Sequence, residues 1–378
     1  MKKICFFVMM FFLSISIIKA EDLGSSAKSS IIIEQSTGTV LYENNSHEKI
    51  PPASMTKIMS LLLIMENIDS GNIKWDDTVT ISKNASSMGG SQILLEENEE
   101  MKVKDLVKGI SIASGNDAVV AMAEYIAGSE EKFVKMMNAK AKSLKLNDTH
   151  FVNCHGLDSD EHYSSAYDMA FMARELLNHP KILDFTSIYE TYLRENTDRK
   201  IWLVNTNKLV RFKKGVDGLK TGYTKTAGYC LTATMKKNDM RLIATVMGEP
   251  DASTRNKEIS SMLDYGFNQY KMNQYLKKGK VIKKEKITSA KYEYVNIVPM
   301  QDVNILTKKS EKIKPSYKIK IKNLKAPIKK GEIVGELNVK NNGKLIQTVD
   351  LTVDKDIKKA NIIEVIFKNL KNVLSGHL

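Results

Sequence analysis

The chain has 378 residues, with 57 Lys+Arg against 44 Asp+Glu for a net charge of +13, and 42% of it is hydrophobic. That length exceeds what one core usually fills, so two domains with short terminal appendages are expected, and three cysteines exclude a disulfide scaffold. The charge points to an anionic partner (phospholipid, wall polymer or nucleic acid) without choosing among them.

The amino terminus chooses. Lys2 and Lys3 precede an apolar run from Ile4 to Ile18 that ends near Ala20, with Glu21 next. This is the pattern of a cleaved secretory signal over residues 1–20. At about 15 residues the run falls short of the roughly 20 that span a bilayer. Export places the mature chain at the outer face of the cytoplasmic membrane, in the cell envelope, and removes nucleic acid from the partners. Cys5 leaves with the signal, and Cys154 and Cys230 are expected as buried free thiols.

In chain order, residues 30–34 and 40–42 flank a Ser-Thr-Gly turn and predict a β-hairpin. Ile58, Leu61, Leu62 and Met65 recur at helical spacing from Ser54 to about Asp69, where Ser70-Gly71-Asn72 supplies a stop. Further helices are predicted over 104–112, 118–127, 130–144 and 166–177, the last with Ser165 and Asp168 as a capping box. Strands are predicted over 229–235 and 241–247, so one sheet would be built from both ends of this domain.

Beyond Tyr275 the pattern becomes lysine-rich alternation, as in residues 317–322 and 332–339, and Asn342-Gly343 is a two-residue hairpin signal. A separate β-domain is expected over 276–354. In the tail, residues 355–378, Ile362, Ile363, Ile366, Phe367, Leu370, Val373 and Leu374 share one helical arc opposite Lys358, Glu364, Lys368 and Lys371. Such a helix suits a membrane interface.

Ser54-Met55-Thr56-Lys57 places a hydroxyl and an amine at i and i+3, a nucleophile with an adjacent base. The amine serves only if its pKa falls from about 10.4 toward 7, by burial or a second cation. Ser114-Gly115-Asn116 offers a relay hydroxyl and an amide for a substrate carbonyl. The other Ser-Gly-Asn, at Ser70, would lie about 24 Å along one helix from Ser54 and is set aside as the helix stop. Lys220-Thr221-Gly222, expected on a strand edge, supplies a cation near Lys57 and a glycine that lets a substrate backbone approach. Each triplet alone is uninformative; the three together, in this order and in an exported chain, form a strong joint signal.

The chain resembles the low-molecular-mass penicillin-binding proteins of the D-alanyl-D-alanine carboxypeptidase type. The resemblance is carried by Pro51-Pro52-Ala53-Ser54-Met55-Thr56-Lys57, Ser114-Gly115-Asn116-Asp117-Ala118, His155-Gly156-Leu157-Asp158, His162 to Asp168 and Val216 to Gly222. It implies an α/β (α+β) fold: a β-lactamase-like transpeptidase domain with antiparallel sheet and helices over 21–275, then the small all-β domain and the amphipathic helix. It implies that Ser54 is acylated, that Lys57 is its base, and that Ser114 and Asn116 line the opposite wall. Lys220 and Thr221 would face the substrate carboxylate with help from Arg255, and the backbone N–H groups of Ser54 and Tyr223 would hold the oxyanion. The expected partners are peptidoglycan stem peptides ending in D-Ala-D-Ala and β-lactam antibiotics; no cofactor or metal is expected.

Two positions depart from the family: Tyr223, where relatives often carry His, and Cys154 beside His155, read as packing. A β-lactamase shares the three motifs, but its deacylating Glu stands in an E-x-x-L-N context, and Glu175-Leu176-Leu177-Asn178 is one residue short. A D,D-endopeptidase would use the same residues. A non-catalytic wall-binding protein would be expected to lack a nucleophile or base, and none is missing here.

Overall fold

The run Ser30-Ile31-Ile32-Ile33 is buried on both faces, which is why it reads as continuous rather than alternating. Ile31 and Ile33 join a core of helices, whereas Ile32 meets the Ala252–Gln269 helix, whose Gly266 has no side chain to keep Ile32 and Leu242 away. In the computed structural model, which describes residues 23–287 and 290–364, Ser29–Glu34 is the second strand of a five-stranded antiparallel sheet. The order is Val40–Asn44, Ser29–Glu34, Met240–Glu249, Gly228–Lys237, Val216–Thr224. Both ends of the first domain therefore meet in one sheet, and the strand carrying Lys220 lies at its edge.

The Lys57–Asp69 helix is buried from Lys57 to Met65 between the Asn116–Ala127 and Ala166–Leu176 helices, and the last of these also packs on the sheet. It is preceded by a 3₁₀ turn, Ala53–Thr56, so the helix proper begins three residues after Ser54. Gly71, at φ +78°, follows its end as anticipated. Ser165 Oγ accepts from the Asp168 N–H at 3.1 Å. Cys154 and Cys230 are buried free thiols.

The chain divides after Phe267, earlier than the change of composition at 276. The reason is Tyr270–Leu276, a strand that pairs with Val303–Lys308 and so belongs to the second unit. That unit's main sheet has five antiparallel strands in the order Lys283–Lys286, Tyr294–Pro299, Lys344–Val353, Gly335–Asn341, Pro315–Ile321. Asn342 and Gly343 have φ of 49° and 81°, as a two-residue hairpin turn with both central residues left-handed requires. Its core gathers Leu276, Ile297, Ile305, Leu337, Val339 and Leu351. The expected signal peptide and all of the amphipathic tail after Glu364 lie outside the described residues.

Candidate active site

The turn that carries Ser54 is held against two backbone segments by glycines. A Cβ on Gly156, at φ +92°, would stand 1.9 Å from the Ala53 carbonyl oxygen, and one on Gly222 would stand 2.7 Å from the Pro52 oxygen. Ala53 itself is left-handed at φ 47°, strain that the surrounding contacts hold in place. Ser54 thus sits at the start of a helix, where the partial positive charge favours a developing anion.

Lys57 is fully buried, and its Nζ lies 3.0 Å from Ser54 Oγ, 2.6 Å from Asn116 Oδ1 and 2.7 Å from the His155 carbonyl oxygen. The last two can only accept, so they take two N–H groups of the amine. A neutral Lys57 is left with its lone pair for the Ser54 hydroxyl. Burial brings the Lys57 pKa down to about 7. The expected second cation, Lys220, is also buried; it is held well below its usual range by burial and then by the charges of Lys57 and Arg255, a repulsion that disfavours charging both amines together.

Asn116 is oriented by its amide nitrogen, which donates to Gly89 O at 2.7 Å, so its oxygen faces Lys57. Beside it, the buried Asp117 carboxylate accepts from the Ile93 and Leu95 N–H groups at 3.0 and 3.1 Å. Ser114 is left-handed at φ 64°, and its buried Oγ has no hydrogen-bond partner among the described residues, a hydroxyl free to relay a proton.

A cavity of about 480 Å³ is lined by Ser54, Ser114, Thr221, Gly222, Tyr223 and Arg255, together with Ser91, Thr206, Lys208 and Tyr229. Of the residues singled out in the sequence, Lys57, Asn116 and Lys220 are buried behind this wall rather than part of it. Lys220 Nζ donates to the Thr221 carbonyl at 3.0 Å, and Thr221 Oγ1 donates to Thr206 Oγ1 at 2.7 Å. The Arg255 guanidinium donates to Asn256 Oδ1 and pairs with no carboxylate among the described residues. The Tyr223 ring is half exposed and packs on Tyr229 with centroids 4.2 Å apart.

Sequence reasoning missed the His155 and Gly89 carbonyls, which leave no trace in residue type, and gave Asp117 no task although it lies within a quoted motif. Gly156 next to His155 was the available signal, since a glycine there marks a close backbone approach. Cys154 has its thiol pushed well above its usual pKa by burial, and its carbonyl accepts from Ser60 Oγ at 2.6 Å, consistent with packing.

A family profile described as D-alanyl-D-alanine carboxypeptidase matches residues 17–251, and one described as penicillin-binding protein 5, C-terminal domain, matches 270–359. The chain is 52% identical over 347 residues to D-alanyl-D-alanine carboxypeptidase DacF of Bacillus subtilis, covering 91% of this chain and 89% of that protein. Penicillin-binding protein 5 of Haemophilus influenzae superposes with a TM-score of 0.73 at 32% identity, covering 88% of this chain and 98% of the other. Penicillin-binding protein D2 of Listeria monocytogenes in its ampicillin-bound form superposes at 0.58 with 30% identity, covering 64% and 98%. The chain belongs to the peptidase S11 family of D-alanyl-D-alanine carboxypeptidases.

Proposed function

We propose that the chain removes the terminal D-alanine from peptidoglycan stem peptides through an acyl-enzyme on Ser54, and that β-lactams acylate the same hydroxyl. The observation that carries this reading is Lys57: a buried amine, held near pKa 7, with two carbonyl acceptors on its N–H groups and the Ser54 hydroxyl on its remaining site. Lys57 takes the Ser54 proton as Oγ attacks the carbonyl between the two D-alanines. The N–H groups of Ser54 and Tyr223 stabilise the oxyanion, a contribution typically of about 3 to 4 kcal/mol. The proton returns through Lys57 and Ser114 to the leaving nitrogen, D-alanine departs, and water hydrolyses the ester. Thr221 and Arg255, in the same cavity, receive the substrate carboxylate, and Lys220 behind them adds positive field.

No Asp or Glu is among the residues lining the cavity. Glu175, on the Ala166–Leu176 helix, instead meets Lys140 and Asn178. That supports slow hydrolysis of an acyl-penicillin and so inhibition rather than drug turnover. Intact mass after incubation with benzylpenicillin, beside Ser54→Ala, with D-alanine assayed on a D-Ala-D-Ala peptide, tests both statements. A lasting adduct absent from the variant, with D-alanine release, is expected. Rapid penicillin turnover without an adduct would indicate a β-lactamase, and neither adduct nor release would overturn the enzyme reading.

Export and attachment belong to the same reading. Residues 1–20 have the composition of a signal peptide, and the tail's apolar arc begins with the exposed Ile362 and Ile363. No helix among the described residues is long and apolar enough to cross a membrane. The tail is proposed to lie in the membrane interface and hold the enzyme at the outer face. A chain ending after Ala360, which keeps the core residue Ile357, should lose partitioning into phosphatidylcholine vesicles; equal partitioning would refute the anchor.

A further inference from the structure

The chain's positive charge is concentrated in one of its two units. Residues 23–267 hold 29 Lys+Arg and 32 Asp+Glu, a net −3, whereas residues 268–364 hold 23 lysines, no arginine and 10 Asp+Glu, a net +13. Within the second unit, lysines gather where the tail leaves the sheet. Ile328 and Ile357 exchange both backbone hydrogen bonds, at 3.0 and 2.8 Å, and Ala290 bridges Lys359. This sets Lys358 and Lys359 beside the loop that carries Lys322, Lys325, Lys329 and Lys330.

All six lysines are exposed, and none pairs with a carboxylate among the described residues. The nearby acids are engaged elsewhere: Glu332 accepts from the Lys329 N–H at 3.2 Å, Asp356 from the Lys330 N–H at 2.8 Å, and Glu364 pairs with Lys291 at 3.2 Å. A shallow cavity of about 260 Å³ opens in the same loop between Lys322, Lys325 and Ile333. Ile333 is 43% exposed, and Ile362 and Ile363 at the tail's root are 80% and 65% exposed.

We propose that this end of the β-domain is itself a contact surface for anionic phospholipid, separate from the amphipathic tail. Mobile cations around exposed isoleucines match a layer that offers phosphate above hydrocarbon. A soluble polyanion would leave the isoleucines uncovered. Lysine rather than arginine fits as well, since fluid headgroups present no fixed fork to match and a point charge serves any arrangement. The proposal deepens the membrane reading of the tail, and its test separates the two.

The mature full-length chain and its variant Lys322→Gln/Lys325→Gln/Lys329→Gln/Lys330→Gln are compared for co-sedimentation with phosphatidylcholine vesicles, with and without phosphatidylglycerol, at low and high salt. Penicillin acylation, confined to the other unit, should be equal in both and reports that the variant folds. The variant is expected to bind the anionic vesicles on the order of tenfold to a hundredfold more weakly at low salt, the two converging at high salt. Binding to neutral vesicles, carried by the tail, should be the same. Equal affinity for anionic vesicles overturns the proposal, as does a variant that keeps vesicle binding and loses only retention on a soluble phosphodiester polymer. If the unaltered chain ignores neutral vesicles yet shows lysine-dependent anionic binding, the tail reading fails and this surface stands.

Discussion

Lys57 works as a base because the fold keeps water from it. Desolvation disfavours the ammonium, and the pKa of about 7 leaves the free amine abundant at neutral pH. Acylation by benzylpenicillin, followed by mass between pH 5 and 9, should therefore rise about tenfold per pH unit below 7 and level off above it, as the neutral fraction does. Asn116→Asp sharpens the test. A carboxylate placed where Oδ1 lies 2.6 Å from Nζ favours the charged amine, so the rise should move up by about 1 to 3 pH units. An unshifted profile would remove Lys57 from the titration. The lowered pKa also has a stability consequence: the unfolded chain binds the proton more tightly, so the penalty that Lys57 places on folding is relieved as pH climbs from about 7 to its unfolded value. These residues could be read from sequence because their chemistry demands particular side chains at particular spacings. The leading cause of the depression could not, since burial depends on the packing of distant segments.

Among elements, the site depends on how closely three segments approach the Ser54 turn. Gly156→Ala would drive a Cβ into the Ala53 carbonyl at a φ of +92°. The expected cost is about 2 kcal/mol or more of stability, read by thermal melting, with acylation lost even below the melting temperature. The opposite wall is held from outside. Arg194 follows the short Glu190–Leu193 strand and donates to Ile93 O at 3.0 Å, to Leu94 O at 3.3 Å and to Glu99, while Arg199 donates to Leu94 O at 2.8 Å. With Asp117 gripping the same stretch by its N–H groups, residues 89–95 are fixed on both sides and hold Asn116 by way of Gly89. Arg194→Ala should slow acylation by about tenfold and move its pH profile, with Arg194→Lys recovering only part because it cannot serve both carbonyls and Glu99. A loss of melting temperature with unchanged acylation would make Arg194 merely structural. The central helices and the long strands were legible because their apolar spacing is periodic, whereas the Ala252–Gln269 helix that carries Arg255 and the Glu190–Leu193 and Ile201–Val204 hairpin were not anticipated. This clamp was not legible either, because it joins a loop to a hairpin roughly 100 residues away through backbone carbonyls that every residue possesses.

For the whole molecule, the partition of charge predicts two units with different responses to salt. The β-domain has its own buried core, from Leu276 to Ile357, and two sheets whose strands all lie within it, so residues 268–360 should fold alone with a cooperative melt. The 23 lysines of residues 268–360 against 9 acids repel one another across a small surface, and that self-repulsion opposes the compact state. Adding salt screens it, since the Debye length falls from about 30 Å at 0.01 M to about 8 Å at 0.15 M. The melting temperature of the isolated β-domain should climb over that range, while the near-neutral residues 23–267 in the intact chain respond little. Covalent acylation by penicillin should shift only the catalytic unit's transition, because a ligand stabilises the unit that binds it. Calorimetry of the mature chain, with and without benzylpenicillin at the two salt concentrations, resolves both. A single transition moved by salt and by drug alike would mean that the units unfold as one and that the charge is not an independent property of the second.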